Sequence, residues 1–293
     1  GKEKDKIFNL KKDGNNYSIT EDLTINGEFS VGISAYDKLN NCNNKNGVYK
    51  IQLYVDSVIY YEFQVDELDF KTNRYINAHI DYEEYKKRKV KYHRCFKLSN
   101  NKLNNYKTIE NNGIIKFDDS KLHIIEVKVS DFYGNTSNLR FNVNAETEKN
   151  LKRNKEKTNS TKTFSYYQPN IFKEKNIEIH MDKYSLYEEV EFEYKLIDSI
   201  KGVFGNIHQC HYDFIPIHKK YVISIKADIP DPLKNKVYIA KKNKNNKFSY
   251  MGGDWKNGFL RTKVREFGEF CIVADTISPS IKGINIYPGK SIT

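Results

Sequence analysis

The chain has 293 residues, 38% of them hydrophobic and 14% aromatic, enough for about two domains with real cores. Its 49 Lys and Arg against 38 Asp and Glu give a formal net charge of +11. No stretch reaches the roughly 18 apolar residues of a membrane span, and the densest basic runs, "YKKRKVKYHR" and "KNLKRNKEKTNSTK", sit in no nucleic-acid-binding motif. The charge fits either an anionic envelope polymer or lysines that simply solvate the surface.

In chain order, residues 1–23 carry no sustained apolar run and read as a connector. Phe29, Val31, Ile33 and Ala35 then alternate with Ser30, Gly32 and Ser34, and Tyr49, Ile51, Leu53 and Val55 repeat the pattern. Side chains of a strand point to opposite faces in turn, so each run builds one apolar face. Asp56-Ser57 predicts a hairpin turn. Thr72–Lys89 breaks the rhythm: Tyr75, Ile76, His79, Ile80 and Tyr82 fall near helical spacing, with Lys86, Lys87 and Arg88 at the end that a helix dipole makes negative. His123, Ile125, Val127 and Val129 form a strand that turns at Gly134-Asn135 and returns through Leu139, Phe141 and Val143. The run at 145–163 is almost wholly polar and reads as a linker, because it cannot bury enough surface to offset ordering.

Strands resume at Ile177–Met181, Val190–Leu196, Tyr221–Ile225, Val237–Ala240, Phe248–Tyr250 and Phe270–Ala274. Short strands with frequent turns predict an all-β fold of two tandem β-sandwiches. The first spans 24–144, with a short helix inserted near 72–89, and the second spans 164–275. Residues 276–293 look like the opening of a third domain. With Gly1 in place of an initiator Met, the chain reads as a piece of a longer protein.

Residues that could carry chemistry are few. His208, His211 and Asp213, with Cys210 between and His218 nearby, are candidate metal ligands, but their spacing matches no standard zinc frame, and a loop on an edge strand accounts for them better. His79, Asp81, Glu83 and Glu84 offer acid and base groups on the helix, or a plain solvated face. Trp255, the single tryptophan, lies in the glycine-rich "GGDWKNG". It would stack a sugar ring if exposed and plug the end of a sandwich if buried. Cys42, Cys95, Cys210 and Cys271 fall two to each half. They suit one disulfide per domain in an oxidising compartment, or four buried free thiols. No nucleophile elbow, H-E-x-x-H, phosphate loop or dinucleotide fingerprint occurs.

From about Gly27 to Ile281 the chain resembles a known group. "GEFSVGISAYDKLNNCNNKNGVYKIQLYVDSVIYYEFQVDELDF", "RYINAHIDYEEYKK", "RCFKLSNNKLNNYK" and "DFYGNTSNL" are similar to the non-catalytic sandwich that follows the peptidase domain in Gram-negative envelope proteins of the lysostaphin type (LytM-like zinc metalloendopeptidases). "IPIHKKYVISIK" and "GGDWKNGFLRTKVREFGEFCIVADTISPSI" resemble their second accessory domain. The resemblance implies immunoglobulin-like or prealbumin-like sandwiches in a periplasmic or outer-membrane-associated enzyme that cuts peptidoglycan. It implies an upstream peptidase domain carrying the zinc, and peptidoglycan or another anionic envelope polymer as partner. The family's H-x-x-x-D and H-x-H motifs are missing here: no His is followed by Asp four residues on or by His two residues on. No catalytic residue carries over, and the chain is expected to need no cofactor of its own. A glycan- or protein-binding adhesin module, or a spacer without a peptidase, is the alternative.

Overall fold

A computed structural model describes residues 6–146 and 162–282. The chain is all-β, built as two sandwich-type units in tandem with a short helical insertion in the first.

The first unit contains β1 (Lys11–Asp13), β2 (Asn16–Ser18), β3 (Leu23–Asn26), β4 (Glu28–Phe29), β5 (Gly32–Ile33), β6 (Lys50–Val55) and β7 (Val58–Gln64). After the helices α1 (Ile76–His79) and α2 (Tyr82–Arg88) come β8 (His93–Arg94), β9 (Tyr106–Ile109), β10 (Ile115–Lys116), β11 (Leu122–Ser130) and β12 (Thr136–Glu146). Its main sheet runs β1-β2-β12-β11-β6-β7-β9, with β3 also paired to β12. The short pairs β4–β10 and β5–β8 and the helical segment supply the opposing layer. Ile51, Leu53, Ile125, Val127, Leu139, Phe141 and Val143 point into the core between them.

Local chemistry sets these turns. Asp56 and Ser57 both take positive φ (48° and 68°), the two-residue turn whose twist matches the flanking strands. Asp131 closes the β11–β12 turn by accepting from the Asn135 N–H at 2.9 Å and from its side-chain amide at 2.7 Å. Asp81 caps α2 by accepting from the Glu84 N–H at 3.0 Å, and Lys89 ends it in the left-handed conformation. The stretch 1–23 is more than a connector: β1 and β2 form a hairpin, and β2 runs parallel to β12 through Asn16↔Asn138 and Ser18↔Arg140. The polar run expected at 145–163 lies mostly outside the described residues. At its edges Ala145 and Glu146 belong to β12, and Lys162 and Thr163 begin the next strand. Of the expected third domain, 283–293 lie outside the described residues as well.

The second unit comprises β13 (Lys162–Phe164), β14 (Asn170–Glu174), β15 (Ile177–Met181), β16 (Val190–Phe192), β17 (Tyr194–Ile197) and β18 (Val203–Cys210). Then follow β19 (Tyr221–Ile225), β20 (Val237–Lys242), β21 (Phe248–Tyr250), β22 (Asp254–Lys256), β23 (Phe259–Val264) and β24 (Gly268–Ala274). Two five-stranded sheets, β14-β15-β19-β23-β22 and β17-β18-β24-β20-β21, pack face to face. Phe172, Ile177, Ile179, Phe192, Ile223, Leu260, Phe270 and Ile272 fill the space between them.

Candidate functional site

Trp255 sits on β22, the outermost strand of its sheet, opposite Leu260 of β23. Only Asn257-Gly258 is the hairpin turn (φ 52° and 76°), the Asn-Gly pair that favours such a turn. Gly253 just before β22 has φ 156°, and a Cβ there would stand 2.9 Å from the Leu260 Cγ. Glycine therefore lets the strand lie against the core while Trp255 stays outside it at 39% exposure. The indole N–H donates to the Lys234 carbonyl at 2.9 Å, which fixes the ring. Trp255, Ala227, Asp228, Ile229, Lys234, Asn235 and Gly258 line an open groove of about 480 Å³. Its polar wall comes from the loop after β19, which the sequence did not single out.

The second feature is the joint between the two units. Tyr187 lies between β15 and β16 of the second unit, yet is 2% exposed and packs within the core cluster of the first. Its hydroxyl donates to the Arg74 carbonyl at 3.0 Å and lies 3.2 Å from His218 Nδ1. His218 in turn stacks on Tyr75 with ring centroids 4.1 Å apart. Asn100 secures the same loop: its backbone N–H donates to the Tyr187 carbonyl at 2.9 Å and its side-chain amide to the Leu186 carbonyl at 2.7 Å. Lys102 lies 4.7 Å over the Tyr184 ring and Lys87 4.4 Å over that of Phe214. Burial, reinforced by Arg74, Lys219, Arg265 and Lys102, lowers the His218 pKa to about 4.

The candidate metal ligands stand in a strand and its exit, not in an edge loop. His208 and Cys210 belong to β18, which is hydrogen-bonded on both sides, by β17 and β24. The His208 Nδ1 meets the Tyr194 hydroxyl at 2.9 Å, and the His211 Nδ1 accepts from the Glu193 N–H at 3.2 Å. Burial holds both imidazoles near pKa 4. Asp213 stays nearer solvent, 3.9 Å from Lys241 and 4.0 Å from Lys86 of the first unit. These groups are spent on neighbours rather than aimed at a common point. Among the described residues no set of three or more His, Cys, Asp or Glu converges on a metal position.

His79 is fully buried, stacked on Phe63 at 3.9 Å and 3.1 Å from His93 Nδ1. Asp81 is a helix cap, and Glu83 and Glu84 pair with Lys87 and Arg88 one turn on. The four cysteines are unpaired. Cys42 is exposed while Cys95 is fully buried. Cys210 faces the inter-sheet core and Cys271 the small cluster of Ile207, Ala240 and Val273 on the other side of that sheet. Cys210 stands opposite Gly268, so Cys271 lies three residues farther along, about 10 Å away, beyond disulfide reach. Burial pushes the Cys95 and Cys271 thiols up to about 12, which makes them poor nucleophiles.

Residues 161–275, which span the second unit, match the Zu5-like domain family. No curated protein matches the chain. No helix among the described residues is long and apolar enough to cross a membrane.

Proposed function

We propose that the chain is a non-catalytic pair of accessory units that holds a covalently joined domain in fixed orientation. The observation that carries this reading is Tyr187: an aromatic of one unit inserted into the core of the other. Units joined by a tether alone move independently by default. A buried aromatic with hydrogen bonds on both sides resists that motion, because withdrawing it exposes apolar surface and unpairs polar groups together.

The resemblance to the region that follows a lysostaphin-type peptidase supports one reading of the joined domain. It would be an upstream zinc endopeptidase acting on peptidoglycan in the periplasm or at the outer membrane, and the present units would position it against the wall. The test compares the product of the extended gene with the 293-residue chain. The expected result is an upstream H-x-x-x-D and H-x-H, with stoichiometric zinc and cleavage of crosslinked wall peptides by the extended protein only. Stoichiometric zinc on the shorter chain, lost in a His208→Ala, His211→Ala double variant, contradicts it. An adhesin-type binding module without a peptidase is the second reading. The Trp255 groove favours it, since a pure spacer has no use for an open aromatic cleft.

A further inference from the structure

We infer that the groove around Trp255 is a binding site for a neutral saccharide, whichever domain is joined to the chain. Three features lead there. The indole is held at its edge by the Lys234 carbonyl, so what it offers a ligand is ring face rather than its N–H. The apolar C–H face of a pyranose matches such a platform, and a fixed ring loses little entropy on binding.

The second feature is uncommitted polarity. Asp228 and Asn235 line the groove, and among the described residues their side chains make no hydrogen bond or ion pair. A carboxylate accepts from hydroxyls, and an amide both donates and accepts. A few polar groups beside an apolar platform are what fix the orientation of a small ligand. An apolar or proline-rich peptide segment would cover the Asp228 carboxylate without pairing it, which costs binding energy. Sugar hydroxyls satisfy it.

The third feature sets the charge of the ligand. The only cation of the lining, Lys234, is bound to Asp231 at 2.6 Å, and Asp228 adds negative charge. The lining thus offers no unpaired cation to an anionic group, despite the chain's net charge of +11. The groove therefore selects a neutral sugar, and any attraction of the lysine-rich surface to acidic polymer resides elsewhere.

The chain contains one tryptophan beside 22 tyrosines, so emission excited at the red edge, where only the indole absorbs, reports on this groove alone. The experiment titrates the whole chain with cellohexaose, with hexa-N-acetylchitohexaose and with a proline-rich peptide. The expected result is a saturable change in emission with at least one oligosaccharide, unaffected by salt on the order of 0.5 M. Asp228→Ala and Asn235→Ala should each weaken that binding about three- to tenfold. Either variant suffices if the other fails to fold. No saturable change with either oligosaccharide, undiminished affinity in the variants, or a response to the peptide alone would overturn the assignment.

Discussion

Tyr187 is the residue on which the arrangement of the two units turns. Truncation to alanine removes a ring that is 2% exposed and leaves a void in the first unit's core, which should cost about 3–5 kcal/mol. Tyr187→Phe keeps the ring and loses only the hydroxyl's bonds to Arg74 and His218, so it should cost about 0.5–1.5 kcal/mol. Urea denaturation of the two variants beside the native chain measures both. Equal losses would mean that the hydroxyl, not the packing, holds the joint. The histidines give a second prediction at this scale. Burial lowers His93, His208, His211 and His218 to about 4, and His79 falls well below its ordinary value. These rings are neutral in the folded chain at pH 6, whereas the unfolded chain takes up protons as pH falls through about 6.5. Their contribution is therefore complete above about 6.5 and is lost as pH drops toward 4. His123 works in the opposite sense. Burial opposes its charge, but hydrogen bonds to Asp56 and Asp119, both at 2.7 Å, outweigh that and raise its pKa. Its contribution is present below 6.5 and fades as pH rises through the raised value. Five depressed rings against one raised predict a lower urea midpoint at about pH 5 than at about pH 7. An unchanged or higher midpoint at pH 5 would contradict this burial pattern.

Single elements show what the sequence displays and what it hides. The strands β6, β11 and β12 were legible because one face of each is buried and the other half-exposed or exposed, so Ile51, Leu53, Ile125 and Val127 alternate with polar or part-exposed neighbours. The helical segment was legible through its spacing and its basic end. Its Asp81 cap carries a prediction: Asp81→Ala should cost about 1 kcal/mol, read from the thermal midpoint, whereas Glu83→Ala, which breaks only an exposed pair, should cost much less. Comparable losses would remove the cap from the account. The hairpin β1–β2 left no such trace. Its residues are exposed or half-buried, and it joins the sheet through backbone pairing that no side-chain pattern announces. Three glycines around Trp255 make the sequence read as a glycine turn. The structure divides their roles, with Gly258 making the turn and Gly253 the close approach to Leu260, and the tryptophan between them lies in a strand. The walls that make its position a groove, Asp228 and Asn235, stand 27 and 20 residues earlier in sequence, so no local motif could have joined them to it.

Across the whole molecule, the build of two all-β units was readable from the spacing of strands and turns. Their docking was not. Tyr187 looks in sequence like one more core aromatic of its own unit, and its partners Tyr75, Asn100 and Arg74 lie more than 80 residues away. The central claim is that this contact, rather than the covalent link, keeps the two units together. A specific protease site inserted between Glu146 and Lys162, followed by cleavage and gel filtration under native conditions, tests it most directly. The halves of the cut chain should elute together, and Tyr187→Ala should make them separate. Separation of the two halves of the cut native chain at micromolar concentration would contradict it.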